Sequence, residues 1–184
     1  MSMKEDVRII KTKKNIEQSL ISLLETKDFR RLTIKDICQK AMISKSTFYA
    51  HYLDKYDLLE KIVTTYSQLV SDEIAMRFQP EQQTHIVTNF HNFESILLGN
   101  RQVYKTLLKI HEPEADLSAK LEHIFYEHSL EYIKAKEQKL EVPKEFLASI
   151  YATYVMQLLA WMLKTGETSK VLPVSELLQS TFDL

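Results

Sequence analysis

Glycine and proline are scarce, two of one and four of the other in 184 residues. So few chain breakers leave little room for hairpins or glycine-rich phosphate loops, and they favour long helices. Cys38 is the only cysteine, which excludes an intrachain disulfide and fits a reducing compartment. The opening MSMKEDVRII has neither the apolar stretch nor the cleavage site of a secretory signal. No unbroken run of about 18 apolar residues occurs, so a cytoplasmic chain without a membrane span is expected. Period-two alternation, internal repeats and low-complexity tracts are absent too, which removes sheet and solenoid architectures. No nucleophile elbow, phosphate loop or carboxylate pair stands out, so neither an enzyme nor a cofactor is expected. Neither His85 with His91 nor His123 with His128 has the i, i+4 spacing of a helical metal site, and His111 stands apart. No metal is expected.

What is present is an ordinary globular balance, 45% hydrophobic and 27% charged, with a net charge of −1. The distribution of charge says more than its sum. Residues 1–61 hold 13 Lys and Arg against 9 Asp and Glu, whereas residues 62–184 hold 11 against 16. A basic first third on an acidic remainder points to a polyanion partner for the first part only. Arg8, Lys11, Lys13 and Lys14, with Lys4, crowd the start of an amphipathic helix over roughly 5–26. Cations there oppose the helix dipole, which leaves two readings, a solvated basic arm or an arm that meets phosphate.

Thr33 stands three residues before Asp36, close to a capping box, and opens a short helix with Ile34, Ile37, Cys38 and Ala41 inward. Ser44 caps a second short helix and Asp54 a longer one through Leu58, Leu59, Ile62 and Val63. Two short helices joined by about three residues, between longer ones, make a helix-turn-helix. In SKSTFYAHY, residues 44–52, Phe48 and Tyr52 share the i, i+4 face that points inward. Lys45, Ser46, Thr47 and Tyr49 lie on other faces. Small hydroxyl residues let a helix approach base edges, a lysine reaches guanine or phosphate, and a tyrosine offers its hydroxyl to phosphate.

The segment LTIKDICQKAMISKSTFYAHYLDKYDLLEKI, residues 32–62, resembles the DNA-binding signature of the TetR family of bacterial transcription regulators. The matching positions include Thr33, Ile37, Ala41, Ile43, Ser44, Thr47, Phe48, Tyr49, Tyr52, Lys55, Leu58 and Leu59. Its variant is similar to a branch that regulates dihydroxyacetone kinase operons. The resemblance implies an all-α fold, with a three-helix DNA-binding domain over 1–61 and a helical ligand-binding and dimerisation domain over 62–184. It implies that Thr33 and Lys55, at helix N-termini, face the DNA backbone, with Ser44 at the start of the recognition helix. Lys35, Lys45, Ser46 and Thr47 would meet bases, and Tyr49 and His51 would touch or brace the backbone. His51 could equally be a packing residue. Met42 departs from the pattern, standing where the family usually has a turn glycine.

Beyond Pro80 the sequence predicts helices over about 83–98, 101–111, 115–140, 144–165 and 174–182, ended by Gly99-Asn100, Pro113, Pro143 and Gly166 in turn. Residues 146–166 are apolar around most of the circumference, which suits a core helix or one also buried by a second subunit. Phe90, Tyr104, Phe125, Tyr154 and Trp161 are candidates to line an effector pocket. The resemblance implies a homodimeric, ligand-responsive repressor binding a palindromic double-stranded operator, with an unknown small-molecule effector. The competing reading is a co-activator of the same fold, signalled by a partner protein.

Overall fold

Helices account for all the regular structure among the described residues, as the scarcity of breakers predicts. The computed structural model describes residues 7–77, 86–135, 141–169, 171 and 173. In chain order the α-helices are α1 (Val7–Leu24), α2 (Ile34–Ala41), α3 (Lys45–Tyr49), α4 (Lys55–Arg77), α5 (Ile86–Gly99), α6 (Arg101–Leu107), α7 (Leu117–Ala135) and α8 (Lys144–Thr165). A single 3-10 turn, Phe29–Arg31, lies between α1 and α2. The helix expected over 174–182 lies outside the described residues.

The chain divides into two compact units, one of Met1–Tyr66 with Thr106–Leu117 and one of Ser67–Lys105 with Ser118–Leu184. In the first unit, Ile16, Leu20, Ile37, Phe48, Leu58, Leu59 and Val63 are completely buried. Each such side chain contributes on the order of 1.5–3 kcal/mol of transfer free energy, so this small core is what fixes the short helices. Three polar caps set their phase. Thr33 and Asp36 form the reciprocal capping box, the Ser44 hydroxyl accepts from the Thr47 N–H at 3.1 Å, and Asp54 accepts from the Tyr56 and Asp57 N–H groups at 2.8 and 2.9 Å. Between α2 and α3, the N–H of Ile43 donates to the carbonyl of Cys38 (3.0 Å) and that of Met42 to Gln39 (3.3 Å). This is a Schellman turn, and it puts Met42 in the left-handed region at φ 55°. Met42 is 93% exposed, so its side chain gains no packing in return for that conformation.

In the second unit Phe93, Leu97, Tyr104, Leu121, Phe125, Ala152, Leu159, Met162 and Leu163 form the core. Arg101 closes the end of α8 by donating from Nε to the Leu163 carbonyl (2.8 Å) and from Nη2 to the Lys164 carbonyl (2.7 Å). A cation on the last carbonyls also suits the negative end of the helix dipole. Gly166 follows at φ 77°. A Cβ there would come within 3.1 Å of the Arg101 guanidinium, so both conformation and space call for glycine. The Ser129 hydroxyl donates to the Tyr126 carbonyl at 2.9 Å, and Thr168 is hydrogen-bonded to Glu94.

The expectation of no segment able to span a membrane is amended by α8. It is long and apolar enough by length and composition, with a mean hydropathy of 1.5 over 18 residues. Its polar residues there, Ser149, Thr153 and Gln157, are uncharged and interrupt an apolar run without lowering the mean far. Only 28% of that window is buried. Phe146 and Ile150, one turn apart, are 58% and 53% exposed.

Candidate nucleic-acid interface

The recognition helix is short because its chemistry ends it. After Tyr49 the N–H groups of both His51 and Tyr52 converge on the Phe48 carbonyl at 3.0 Å, which turns the chain out of α3. The inward pair survives this turn. Phe48 and Tyr52 are both buried, with ring centroids 5.7 Å apart, and the Tyr52 hydroxyl donates to Glu17 Oε1 of α1 at 2.9 Å. The sequence placed Tyr52 on the helix itself, whereas it lies three residues past the helix end and still reaches the same core.

The outward side carries the predicted polar set. Ser44, Lys45, Ser46 and Tyr49 are exposed, and Thr47 and His51 are half-buried. The Ser44 hydroxyl lies 2.7 Å from the Ser46 hydroxyl and 2.9 Å from that of Thr47, so three hydroxyls form one linked array. Tyr49, 55% exposed, rests its ring edge-on against Phe48, which fixes the ring and leaves the hydroxyl end outside. His51 packs edge-on to Tyr52. Lys35 is exposed on α2.

Thr33 and Lys55 both make bonds within the protein. Asp36 Oδ2 accepts from the Thr33 N–H, the Thr33 hydroxyl and the Lys27 ammonium, each at 2.8 Å. Lys27, then the Thr33 N–H and hydroxyl, hold the Asp36 carboxyl far below the usual carboxylate range. Lys55 Nζ donates to the carbonyls of Phe29 (2.9 Å), Arg30 (3.1 Å) and Leu32 (2.9 Å). An ammonium has three donors, and all three are engaged. The same nitrogen stands 4.8 Å from the Phe29 ring centre and 5.2 Å from that of Tyr56. The resemblance points Lys55 toward phosphate, but here it staples the start of α4 to the turn that precedes α2.

Several contributors were not visible in the local pattern. Asn15 Nδ2 donates to the Ala41 carbonyl at 2.7 Å, tying α1 to the end of α2. Arg30 Nε donates to Glu112 Oε1 at 3.0 Å, a bond across 82 residues that anchors the Thr106–Leu117 segment within the first unit. That carboxylate raises the Arg30 guanidinium further above its ordinary value. Among the effector candidates, Tyr104 and Phe125 are buried in the second unit, and Tyr154 and Trp161 are half-buried. Phe90 is on α5, and its side chain lies outside the described residues. Among the described residues no group of three or more His, Cys, Asp or Glu could hold a metal ion.

Two capped short helices around a left-handed turn, braced by α1 and α4 and presenting a polar outer face, define a helix-turn-helix DNA-binding domain. Residues 20–62 match the family model described as bacterial regulatory proteins, tetR family. Residues 20–62 thus carry a DNA-binding domain of the kind this family model describes. The chain is 28% identical over 78 residues to the uncharacterized HTH-type transcriptional regulator YxbF of Bacillus subtilis, a match covering 42% of this chain and 20% of that protein's length. In fold it is similar to a Clostridium perfringens protein described as a fatty acid metabolism regulator, with TM-score 0.67, 17% identity, and 92% and 97% of the two chains covered. It is also similar to the dihydroxyacetone kinase operon activator DhaS, with TM-score 0.56, 18% identity, and 95% and 97% covered. At these identities the structural likenesses bear on the fold alone.

Proposed function

We propose that the chain is a cytoplasmic, homodimeric transcription regulator that binds a palindromic DNA operator and is released by a small-molecule effector, acting as a repressor and not as an enzyme. The observation that carries this reading is the outer face of α3, where Lys45, Ser46 and Tyr49 are exposed beside a half-buried Thr47 on a helix whose other face is buried. In the docked state α3 enters the major groove. Lys45 and Thr47, with Ser46 and Lys35, meet base edges, and Tyr49 and His51 meet the backbone. Thr33 and Ser44 present the N-termini of α2 and α3 to phosphate. Lys55 holds the frame instead of a phosphate.

The reader is the portion up to about residue 61, and the remainder regulates it. The exposed Phe146 and Ile150 on α8, whose apolar window is only 28% buried, support a face covered by a second copy. Two copies of α3 about 34 Å apart would engage successive major grooves. Phe90, Tyr104, Phe125, Tyr154 and Trp161 are the residues proposed to sense the effector, which shifts the dimer toward a spacing that no longer fits DNA.

Selection of bound sequences from a random duplex pool tests this, with sedimentation to read the oligomer. A palindromic site is expected, with Lys45→Ala and Thr47→Ala changing the preferred bases and Tyr49→Phe weakening all sequences alike. Enrichment of no sequence, or all three variants selecting the wild-type site at wild-type affinity, sinks the reading. The second reading is a co-activator of the same fold signalled by a partner protein, to which the acidic balance of residues 62–184 is suited. A stable protein complex, with no metabolite shifting the melting temperature, would favour it.

A further inference from the structure

We propose that the groove between α1 and the helix-turn-helix turn is a second seat for DNA. Its occupant is a sugar-phosphate strand flanking the bases that α3 reads. This rests on the DNA-binding function proposed above and adds to it a surface outside the recognition helix. The groove is open, with a volume of ≈ 470 Å³, and is lined by Val7, Arg8, Lys11, Thr12 and Asn15 of α1 and by Ile43 of the turn.

Three features point to this occupant. The first is charge. Between Val7 and Ile16 there are four cations, Arg8, Lys11, Lys13 and Lys14, and no Asp or Glu. Cations in the first turns oppose the helix dipole, so helix stability does not explain them. Arg8 and Lys11, which line the groove, are both exposed.

The second is position. Ile43 immediately precedes Ser44, the N-cap of α3, so one end of the groove opens beside the start of the recognition helix. The Asn15–Ala41 hydrogen bond fixes α1 against the turn. A strand leaving the major groove at α3 therefore meets a surface already held in register with it.

The third is the mixture of surfaces. A sugar-phosphate strand alternates apolar sugar edges with anionic oxygens. The groove offers Val7 and Ile43 beside two cations, a combination that suits such a strand better than an apolar peptide. The Thr12 hydroxyl donates to the Arg8 carbonyl at 2.8 Å, so it supplies no donor of its own to the groove.

The test uses the full-length protein and its selected site on a long duplex, with affinity measured from 50 to 200 mM salt. Each cation withdrawn from a phosphate should reduce the slope of log affinity against log salt by about 0.9. In the dimer Arg8→Gln with Lys11→Gln withdraws four cations, so it should lower the slope by about 3.6 and make the deficit against wild type roughly a hundredfold larger at 50 mM than at 200 mM. The preferred bases should stay the same. Lys14→Gln removes the same charge from the same helix but outside the groove, and should leave the slope near wild type. A wild-type slope in the double variant, or an equal effect per charge from Lys14→Gln, overturns the seat while leaving α3 as the reader. If the wild-type protein selects no sequence at all, both readings fall.

Discussion

Lys55→Met removes an ammonium and keeps most of the aliphatic stem, which makes it a sharp perturbation of the staple between α4 and the Phe29–Arg31 turn. Three hydrogen bonds disappear with it. Those to the carbonyls of Phe29 and Leu32 are partly buried, and that to Arg30 is exposed, so water can replace the last one cheaply. A hydrogen bond to a charged group contributes about 1.5–3 kcal/mol when its partner cannot be resolvated. Discounting for partial exposure, the two sheltered bonds amount to roughly 2–3 kcal/mol. Removing the cation from the Phe29 and Tyr56 rings adds a further ~0.5–1 kcal/mol. Urea unfolding followed by circular dichroism should therefore show a loss of roughly 2–4 kcal/mol, with the early transition belonging to the first unit. Lys55→Arg should not restore it, because a planar guanidinium cannot direct three donors at carbonyls converging on one point. DNA affinity measured well below the unfolding transition should keep the wild-type salt slope. Unchanged stability with a slope reduced by about 1.8, one lysine from each protomer, would refute the staple and return Lys55 to the phosphate backbone.

Met42→Gly should stabilise the protein by roughly 0.5–1 kcal/mol, since relief of a left-handed residue exceeds the added freedom of the unfolded chain; denaturant midpoints read this directly, and a loss of stability would mean that Met42 packs. Asp36 has a folded-state pKa depressed by Lys27 and Thr33, so its stabilisation is fully present above the ordinary carboxylate range and is lost progressively as the pH falls from there toward the depressed folded value. Asp36→Asn should accordingly flatten the acid limb of a stability profile below about pH 5, and an acid limb identical to wild type would contradict this. Phe146→Glu with Ile150→Glu should convert a dimer to monomers by sedimentation with helix content retained, and an unchanged dimer would move the interface elsewhere.

The parts of this molecule legible in the sequence are those decided within four residues of themselves. Thr33 with Asp36, Ser44 with Thr47, and Asp54 with Asp57 are side chain-to-backbone caps, so residue type and spacing suffice to place them. The same holds for Gly166 after α8. The inward role of Phe48 and Tyr52 was readable although the helix stops short, because a turn of the chain can deliver a ring where a further turn of helix would have. The staple made by Lys55 was not readable. The local context of this lysine is that of a helix N-terminus, and the three carbonyls that claim it lie 23 to 26 residues away. Arg30 and Glu112 are a stronger case, because the association of Thr106–Leu117 with the first unit leaves no periodic trace. Residues 174–182 and the Phe90 side chain lie outside what the structure describes.

The linked hydroxyls of Ser44, Ser46 and Thr47 have a consequence that follows from counting protons. Ser44 Oγ has two lone pairs and one hydrogen, and one lone pair is taken by the Thr47 N–H. With hydroxyl neighbours at 2.7 and 2.9 Å, it can accept from one of them and must donate to the other. The hydroxyl that donates inward shows only lone pairs outward, and the one that accepts keeps its hydrogen free to point away. The outer face thus presents one acceptor and one donor at any moment, and rotating three O–H bonds exchanges which is which. The array is a two-state switch without moving a heavy atom, so this helix can offer either of two complementary hydrogen-bond patterns to the surface it meets.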